Sequence, residues 1–326
     1  MHKRVLTINI YFAPLEGITD VTYRKTHREM FSGVSKYFIP FVSPTQHMTF
    51  SSREQASIAP KNNEGVPVVP QVLTKEAEHF VNMTKLLSDF GYSEVNLNLG
   101  CPSGTVTAKG KGSGMLREPD ALDRFLDDIF TRSVLPVSVK TRIGYESEAE
   151  WPRLEAIFRR YPIHELIVHP RTRQQFYKGN PYVEFVRSLF ESAPFPVIYN
   201  GDLFTQEDCE SLLKRYPASQ TIMLGRGLIA NPCLCETLTN GRKATKEKIR
   251  AFHNRLFQAY LETWPKNALI GHMHEMMYYM ATCFENASKA RKAIRKSATV
   301  ESYLSAADDL FENHELNAQP GFVPYL

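Results

Sequence analysis

Nothing in this chain approaches the roughly 18 consecutive apolar residues of a membrane span, and it shows neither an internal repeat nor a low-complexity tract. A membrane-spanning protein, a solenoid and a disordered chain are set aside on that ground, and no membrane partner is expected. Cysteine is scarce: Cys101, Cys209, Cys233, Cys235 and Cys283 are odd in number and widely scattered. That is not a disulfide framework and fits a reducing, cytoplasmic setting. Cys233 and Cys235 are spaced C-x-C without a second pair nearby, so no metal site is expected. The absence of a G-x-G-x-x-G after an early strand argues against an open dinucleotide-binding sheet. The opening MHKRVLTINIYFAP has a basic start, but its apolar stretch is short and lacks a small-residue cleavage site; it reads as a first strand. Residues 299–326 hold no Lys or Arg and five acids, whereas residues 241–298 hold twelve Lys or Arg and four acids. The overall charge of +4 therefore conceals a block of +8 followed by one of −5. A basic block inside a nearly neutral protein is a candidate contact for a polyanion.

What is present is an alternation. Strand patterns over Ile8–Ala13, Tyr37–Phe41, Val66–Leu73, Tyr92–Leu99, Pro136–Thr141, Glu165–Val168, Pro196–Tyr199 and Thr221–Leu224 are separated by helix-like stretches. The helices are expected at Asp20–Met30, Lys75–Phe90, Pro119–Arg132, Ala149–Arg160, Tyr182–Glu191 and Thr205–Tyr216, and segment 43–65 looks irregular. Eight strands alternating with helices predict an α/β fold, a (β/α)8 TIM barrel; about 250 residues suffice for one. An open doubly wound sheet is the rival. Beyond the polar turn Thr239-Asn240-Gly241 the strand signals stop. Lys246–Glu262, Leu269–Phe284, Ser288–Ser297 and Val300–Phe311 read as helices, and NAQPGFVPYL as an extended tail. The expected division is a barrel over 1–240 and a small all-helical domain over 241–326.

Residues 94–104, EVNLNLGCPSG, carry the strongest local signal. Val95, Leu97 and Leu99 alternate with Glu94, Asn96 and Asn98, and the strand then breaks at Gly-Cys-Pro. Amides on an inner strand face are costly unless something hydrogen-bonds to them. In barrel enzymes the site lies at the C-terminal strand ends. Those ends here carry Pro14-Leu15-Glu16, Gln71, Asn98 with Cys101, Lys140 with Arg142, His169 with Arg171, Asn200-Gly201-Asp202 and Gly225-Arg226-Gly227. Singly, each is an ordinary turn, salt bridge or core residue. Together they converge on one barrel mouth. Backbone N–H groups at Gly225 with the Arg226 guanidinium suit a phosphate. Lys140 would sit under a ring that becomes anionic on reduction, and Gln71 and Asn98 would read an edge bearing donors and acceptors. A phosphate tail, an amide-read ring and one lysine together suggest flavin mononucleotide.

With these motifs, APLEGITD (13–20), Gln71, NLNLGCP (96–102), VKTR (139–142), HPRTR (169–173), NGD (200–202) and GRGLIANP (225–232), the chain resembles the tRNA-dihydrouridine synthases. The resemblance implies an FMN-dependent oxidoreductase that reduces uridines in tRNA with NADPH. It implies that Pro14, Leu15 and Glu16 contact the flavin, that Gln71 and Lys140 hold its ring, and that His169 and Arg171 lie at the flavin or uracil edge. Asn98 would contact flavin or uracil; Asn200, Gly201, Asp202, Gly225 and Arg226 would hold the phosphate. Cys101 would be the general acid, a thiol with an ordinary pKa of about 8.5 being protonated and able to donate at neutral pH. The chain departs from the family's pattern where many members have Asp in place of Asn96, and Leu15-Glu16 replaces the commoner Met-Ala or Met-Glu. The glycine-rich loop 103–114 suits a mobile lid and a flexible surface loop equally well.

On the helix expected over 288–297, Lys289, Lys292 and Lys296 share one face and Arg291 and Arg295 flank it, a stripe suited to an RNA phosphate backbone. His272 and His274, two apart, diverge on a helix and do not suit a metal. A monomer is expected. The main rivals are a flavin barrel acting on a small pyrimidine or enone, of the dihydroorotate dehydrogenase kind, and an RNA-binding barrel without catalysis.

Overall fold

The computed structural model describes residues 8–324. Its strands are β1 (Asn9–Phe12), β2 (Val34–Phe38), β3 (Val68–Val69), β4 (Gln71–Val72), β5 (Val95–Leu99), β6 (Val137–Gly144), β7 (Leu166–Thr172), β8 (Val197–Tyr199) and β9 (Thr221–Leu224). They form one parallel sheet in the order β3-β2-β1-β9-β8-β7-β6-β5-β4. The two ends of that order are neighbours in the chain, separated only by Pro70. Proline offers no N–H, so the ladder breaks there. β3 pairs with β2 (Tyr37 opposite Val68) and β4 with β5 (Gln71 opposite Asn96), while the Pro70 carbonyl still accepts from the Asn96 N–H at 2.9 Å. Two short strands are thus the halves of one, turned from one neighbour to the next, and the sheet closes as the expected eight-stranded barrel.

The six helices expected between strands are found, at Val21–Met30, Ala77–Asp89, Pro119–Arg132, Trp151–Phe158, Arg187–Ser192 and Gln206–Arg215. The second strand starts and ends three residues earlier than its apolar run suggested. β6 and β7 run past their expected ends, to Gly144 and Thr172, because Arg142 and His169 stay in register with each other across the ladder. Segment 43–65 holds an α-helix, Ser52–Ile58, started by a capping box between Ser51 and Glu54, and a 3₁₀ turn, Pro60–Asn62. The α-helix buries only Ile58, which is why no helical period was visible.

The chain divides into two compact units. One is Lys36–Gly201 with Tyr216–Met223 and holds most of the sheet. The other assembles three separate stretches, the chain up to Ser35, Asp202–Arg215 and everything from Leu224 onward. In that second unit, helix Val21–Met30 packs on helix Lys246–Thr263. The rings of Tyr23 and Phe31 meet Phe252 edge-on at 5.5 and 5.2 Å. Asp20, the cap of the first helix, accepts from the Tyr23 N–H at 2.9 Å and the Tyr260 hydroxyl at 2.8 Å. Helices Gln206–Arg215, Arg226–Ala230, Leu234–Asn240, Lys266–Met280, Ser288–Lys296 and Val300–Asn313 belong to the same unit. The tail beyond them is extended but held: Asn317 N donates to Cys283 O at 2.8 Å, Asn231 Nδ2 to Pro320 O at 3.0 Å, and Phe322 is buried.

Candidate active site

All five residues of β5 are buried, so its two asparagines need partners, and they find them in a chain of side-chain amides. Asn96 Nδ2 donates to Ser138 Oγ at 2.9 Å, Gln71 Nε2 to Asn96 Oδ1 at 2.7 Å, and Asn98 Nδ2 to Gln71 Oε1 at 2.7 Å. The Asn98 oxygen then accepts the backbone N–H groups of Gly100 and Cys101 at 3.0 and 2.9 Å. An amide NH₂ has two protons, so Gln71 and Asn98 each keep one beyond these bonds. The predicted ring-reading residues are therefore joined to one another and to the turn that carries Cys101.

Cys101 is half-buried. Loop 103–114 is folded against it as a short helix, Gly104–Thr107, and a 3₁₀ stretch, Gly112–Arg117. Ser113, fully buried, donates to the Cys101 carbonyl through Oγ at 2.8 Å and through its N–H at 3.2 Å. Gly112 has φ +58°, and a Cβ there would lie 3.0 Å from the Cys101 carbonyl oxygen. Arg142 ties the residue before Cys101 to the end of β7: Nε donates to Gly100 O at 2.9 Å, and Nη1 to Thr172 O and Phe176 O at 2.9 and 2.8 Å. Arg173 adds a bond to Pro102 O at 3.2 Å.

Lys140 stands opposite Asn98 in the β5–β6 register. Its ammonium makes no hydrogen bond or ion pair among the described residues. Burial first, and the charge of Arg142 second, pull its pKa down from 10.5 to about 7, with Cys101 pulling weakly the other way. On β7, His169 Nε2 lies 3.4 Å from Arg171 Nη1, and the His169 ring meets Tyr177 edge-on at 6.0 Å. Arg171 is fully buried and donates to Lys178 O at 3.3 Å and Gly179 O at 2.6 Å. Asn200 Nδ2 donates to Met223 O at 2.9 Å, and a Cβ at Gly201 would run into the Tyr199 ring and displace it.

The remaining predicted residues belong to the other unit. Pro14-Leu15-Glu16 open a turn closed by Thr19, whose Oγ1 accepts the Leu15 N–H at 2.9 Å while its own N–H donates to Leu15 O at 3.0 Å. Gly225 precedes the short helix Arg226–Ala230. Arg226 Nη2 donates to Asp202 Oδ1 at 2.6 Å. In the same unit, helix Ser288–Lys296 buries Ala290 and Ile294 and exposes Lys289, Lys292, Arg295 and Lys296, with Arg291 half-exposed. Those four exposed cations have no ion pair among the described residues. Elsewhere in the basic block the acidic tail is engaged: Arg250 with Asp308 (2.7 Å) and Glu312 (3.3 Å), and Lys246 with Glu315 (2.7 Å). His272 stacks on Trp264 at 4.5 Å, whereas His274 Nε2 bonds Ser297 Oγ at 2.8 Å.

The model of the dihydrouridine synthase family, Dus, matches residues 11–318 of the chain. The chain belongs to the dihydrouridine synthase family. A probable tRNA-dihydrouridine synthase of Rickettsia bellii (strain RML369-C) is 26% identical over 317 residues, covering 92% of this chain and 96% of the relative. One of Staphylococcus epidermidis (strain RP62A) is 31% identical over 237 residues, 68% of each chain. The tRNA-dihydrouridine synthase B of Pasteurella multocida (strain Pm70) is 26% identical over 226 residues, 69% of this chain and 67% of the relative. Among solved structures, morphinone reductase aligns with a TM-score of 0.50 at 11% identity, over 72% of this chain and 86% of that one, a likeness of fold.

Within this dihydrouridine synthase, the residues that sequence reasoning left without a role are Arg142, Ser113 and Arg173, which build the seat of Cys101. Arg142 was visible as the in-phase partner of Lys140. Ser113 gave no signal, because its bond to Cys101 spans a loop whose path the sequence does not state.

Proposed function

We propose that this dihydrouridine synthase reduces the C5–C6 bond of specific uridines in tRNA, with FMN as resident cofactor and NADPH as reductant. In this reading residues 1–240 are the catalytic domain and 241–326 the tRNA-binding domain of a cytoplasmic monomer; no helix among the described residues is long and apolar enough to cross a membrane.

The observation that carries the reading is Lys140. Lys140 is half-buried; a partly desolvated ammonium without a hydrogen-bond partner is costly, and an anion arriving beside it removes that cost. The neighbouring donors have the chemistry of a flavin edge: Gln71 and Asn98 each retain an N–H, and His169 stands two strands from Asn98 in the sheet order. Arg171, committed to the carbonyls of Lys178 and Gly179, serves the ligand by fixing that loop and His169. Pro14, Leu15 and Glu16 line the first turn. Asn200, Gly201, Asp202, Gly225 and Arg226 take the phosphate, Arg226 presenting the planar fork of N–H donors that suits one.

Bound there, FMN supplies hydride chemistry, accepting from NADPH and delivering to uracil C6. The chain's own part is to place an acid and exclude water. Cys101 Sγ gives its proton to uracil C5, held in aim by the Asn98, Ser113 and Arg142 bonds to its backbone and its neighbour's. Exposed Lys289, Lys292, Arg295 and Lys296, with Arg291, bind the RNA backbone, which a small-molecule substrate would not need. A uridine within folded tRNA must be extruded to be reached, so a docking surface apart from the chemistry is required.

The test is nucleoside mass spectrometry of dihydrouridine-free tRNA incubated with protein, FMN and NADPH. A mass gain of one H₂ on uridine supports the assignment. No gain from a protein that holds FMN and accepts electrons from NADPH favours the small-pyrimidine reductase instead.

A further inference from the structure

The C-terminal tail ends its described course against the residue expected to receive a phosphate. The Arg226 guanidinium lies 5.1 Å from the centre of the Phe204 ring and 5.4 Å from that of Phe322, both within cation–π range. The two rings meet edge-to-face at 5.2 Å and 82°. Asp202 holds Nη2 of the same guanidinium at 2.6 Å. One carboxylate fixes one corner of a planar group, and two rings fix its tilt.

Phe322 is held there by more than its own burial. Thr282 Oγ1 accepts the Val323 N–H at 3.3 Å and lies 3.1 Å from Gly321 O, its single proton shared between that carbonyl and Tyr279 O at 2.6 Å, so Thr282 touches the chain on both sides of Phe322. Gly321 runs so close to the other ring's backbone that a Cβ would sit 2.5 Å from Phe204 O. Phe204 is itself fixed by Asp208, whose Oδ2 accepts its N–H at 3.0 Å and that of Thr205 at 2.8 Å. The tail thus closes over the 202–205 turn at the point where Arg226 emerges.

We propose that Phe322 is a positioning residue for the flavin phosphate, its ring and that of Phe204 holding the Arg226 guanidinium in the orientation that receives the anion. The inference rests on Arg226 as the phosphate ligand. It adds that the C-terminal tail is part of the cofactor site. Arginine has high side-chain entropy when free, and a guanidinium already oriented loses less of it on binding.

The experiment compares FMN with riboflavin, which lacks the phosphate, on flavin-stripped full-length protein by fluorescence titration. Phe322→Leu keeps apolar volume but loses the π face; Phe322→Tyr keeps the ring. The expected result is that Phe322→Leu lowers the FMN-over-riboflavin preference about two- to fivefold while riboflavin affinity holds, and that Phe322→Tyr restores the preference. In an Arg226→Ala background, Phe322→Leu should change nothing further. Equal weakening of both flavins, or none, overturns the proposal while leaving the phosphate site standing. An Arg226→Ala protein that prefers FMN as strongly as the parent overturns the phosphate assignment and this inference with it.

Discussion

The side-chain oxygen of Asn98 accepts the backbone N–H of Cys101 at 2.9 Å. That bond, with the matching one to Gly100, sets the direction in which the cysteine leaves the strand. The proposed role of Cys101 as the acid should be separable from cofactor binding. Cys101→Ala is expected to hold FMN and be reduced by NADPH as the parent is, while dihydrouridine formation falls about a hundredfold or more. Single-turnover reaction of the reduced protein with tRNA measures it; parental turnover would remove Cys101 as the acid.

Gly112 combines φ +58° with a 3.0 Å approach to the Cys101 carbonyl. Gly112→Ala strains the backbone and presses on the cysteine's seat at once, at a cost of about 1–3 kcal/mol. Melting temperature and dihydrouridine formation should both fall. Gly110→Ala, also at positive φ but with a Cβ meeting only the Lys75 side chain at 3.6 Å, should lower the melting temperature and spare turnover of the protein that stays folded.

Lys140 gives the flavin-free protein a pH dependence of definite sign. Its folded pKa is about 7 and its unfolded one about 10.4. Between these values the unfolded chain binds more protons, so stability rises with pH across that window. Below the folded value the lysine is charged in both states and the penalty is complete. Lys140→Met should be more stable than the parent at neutral pH, with the gap closing towards about pH 10. Paired melting curves across pH read this directly; a gap independent of pH would mean that Lys140 titrates normally.

The exposed cations of helix Ser288–Lys296 should act through phosphates. Lys292→Gln with Lys296→Gln is expected to weaken tRNA binding and to flatten the plot of log affinity against log salt by roughly one unit for each phosphate no longer neutralised. FMN content should be unchanged. An unaltered salt slope would move the RNA surface elsewhere.

The barrel was legible because its strands are apolar runs between turn signals, and because β5 alternates cleanly until Gly-Cys-Pro. Even the halved strand reads as one stretch, Val66–Leu73, since Pro70 interrupts the ladder without interrupting the path. The ends of β6 and β7 were not legible. Arg142 and Arg171 were legible as partners of Lys140 and His169 at the barrel mouth, but only the fold supplies the carbonyls of Thr172, Phe176, Lys178 and Gly179 that let them stay inside. The site's residue types were visible in N-x-N, K-x-R and H-x-R. That Asn96, Gln71 and Asn98 satisfy one another was not, because a pattern places amides on a face without saying which of them meet. Charge behaved likewise. Composition revealed a basic block, but it took the fold to show that the acidic tail neutralises Arg250 and Lys246 and leaves Lys292 and Lys296 open.

The unit that carries Arg226 and the basic helix is assembled from three stretches of chain, the first ending at Ser35 and the next starting at Asp202. On the ribosome, the opening helix Val21–Met30 emerges long before Phe252 and Tyr260 exist to cover it. At typical synthesis rates that interval is on the order of ten seconds. During it the edges of Tyr23, His27 and Phe31 that meet Phe252 stay uncovered, with only the earlier Phe12 ring at hand for Tyr23 and His27, and the intervening unit is made first. The helix Val21–Met30 therefore waits for its partner helix until the whole of the intervening unit has been made.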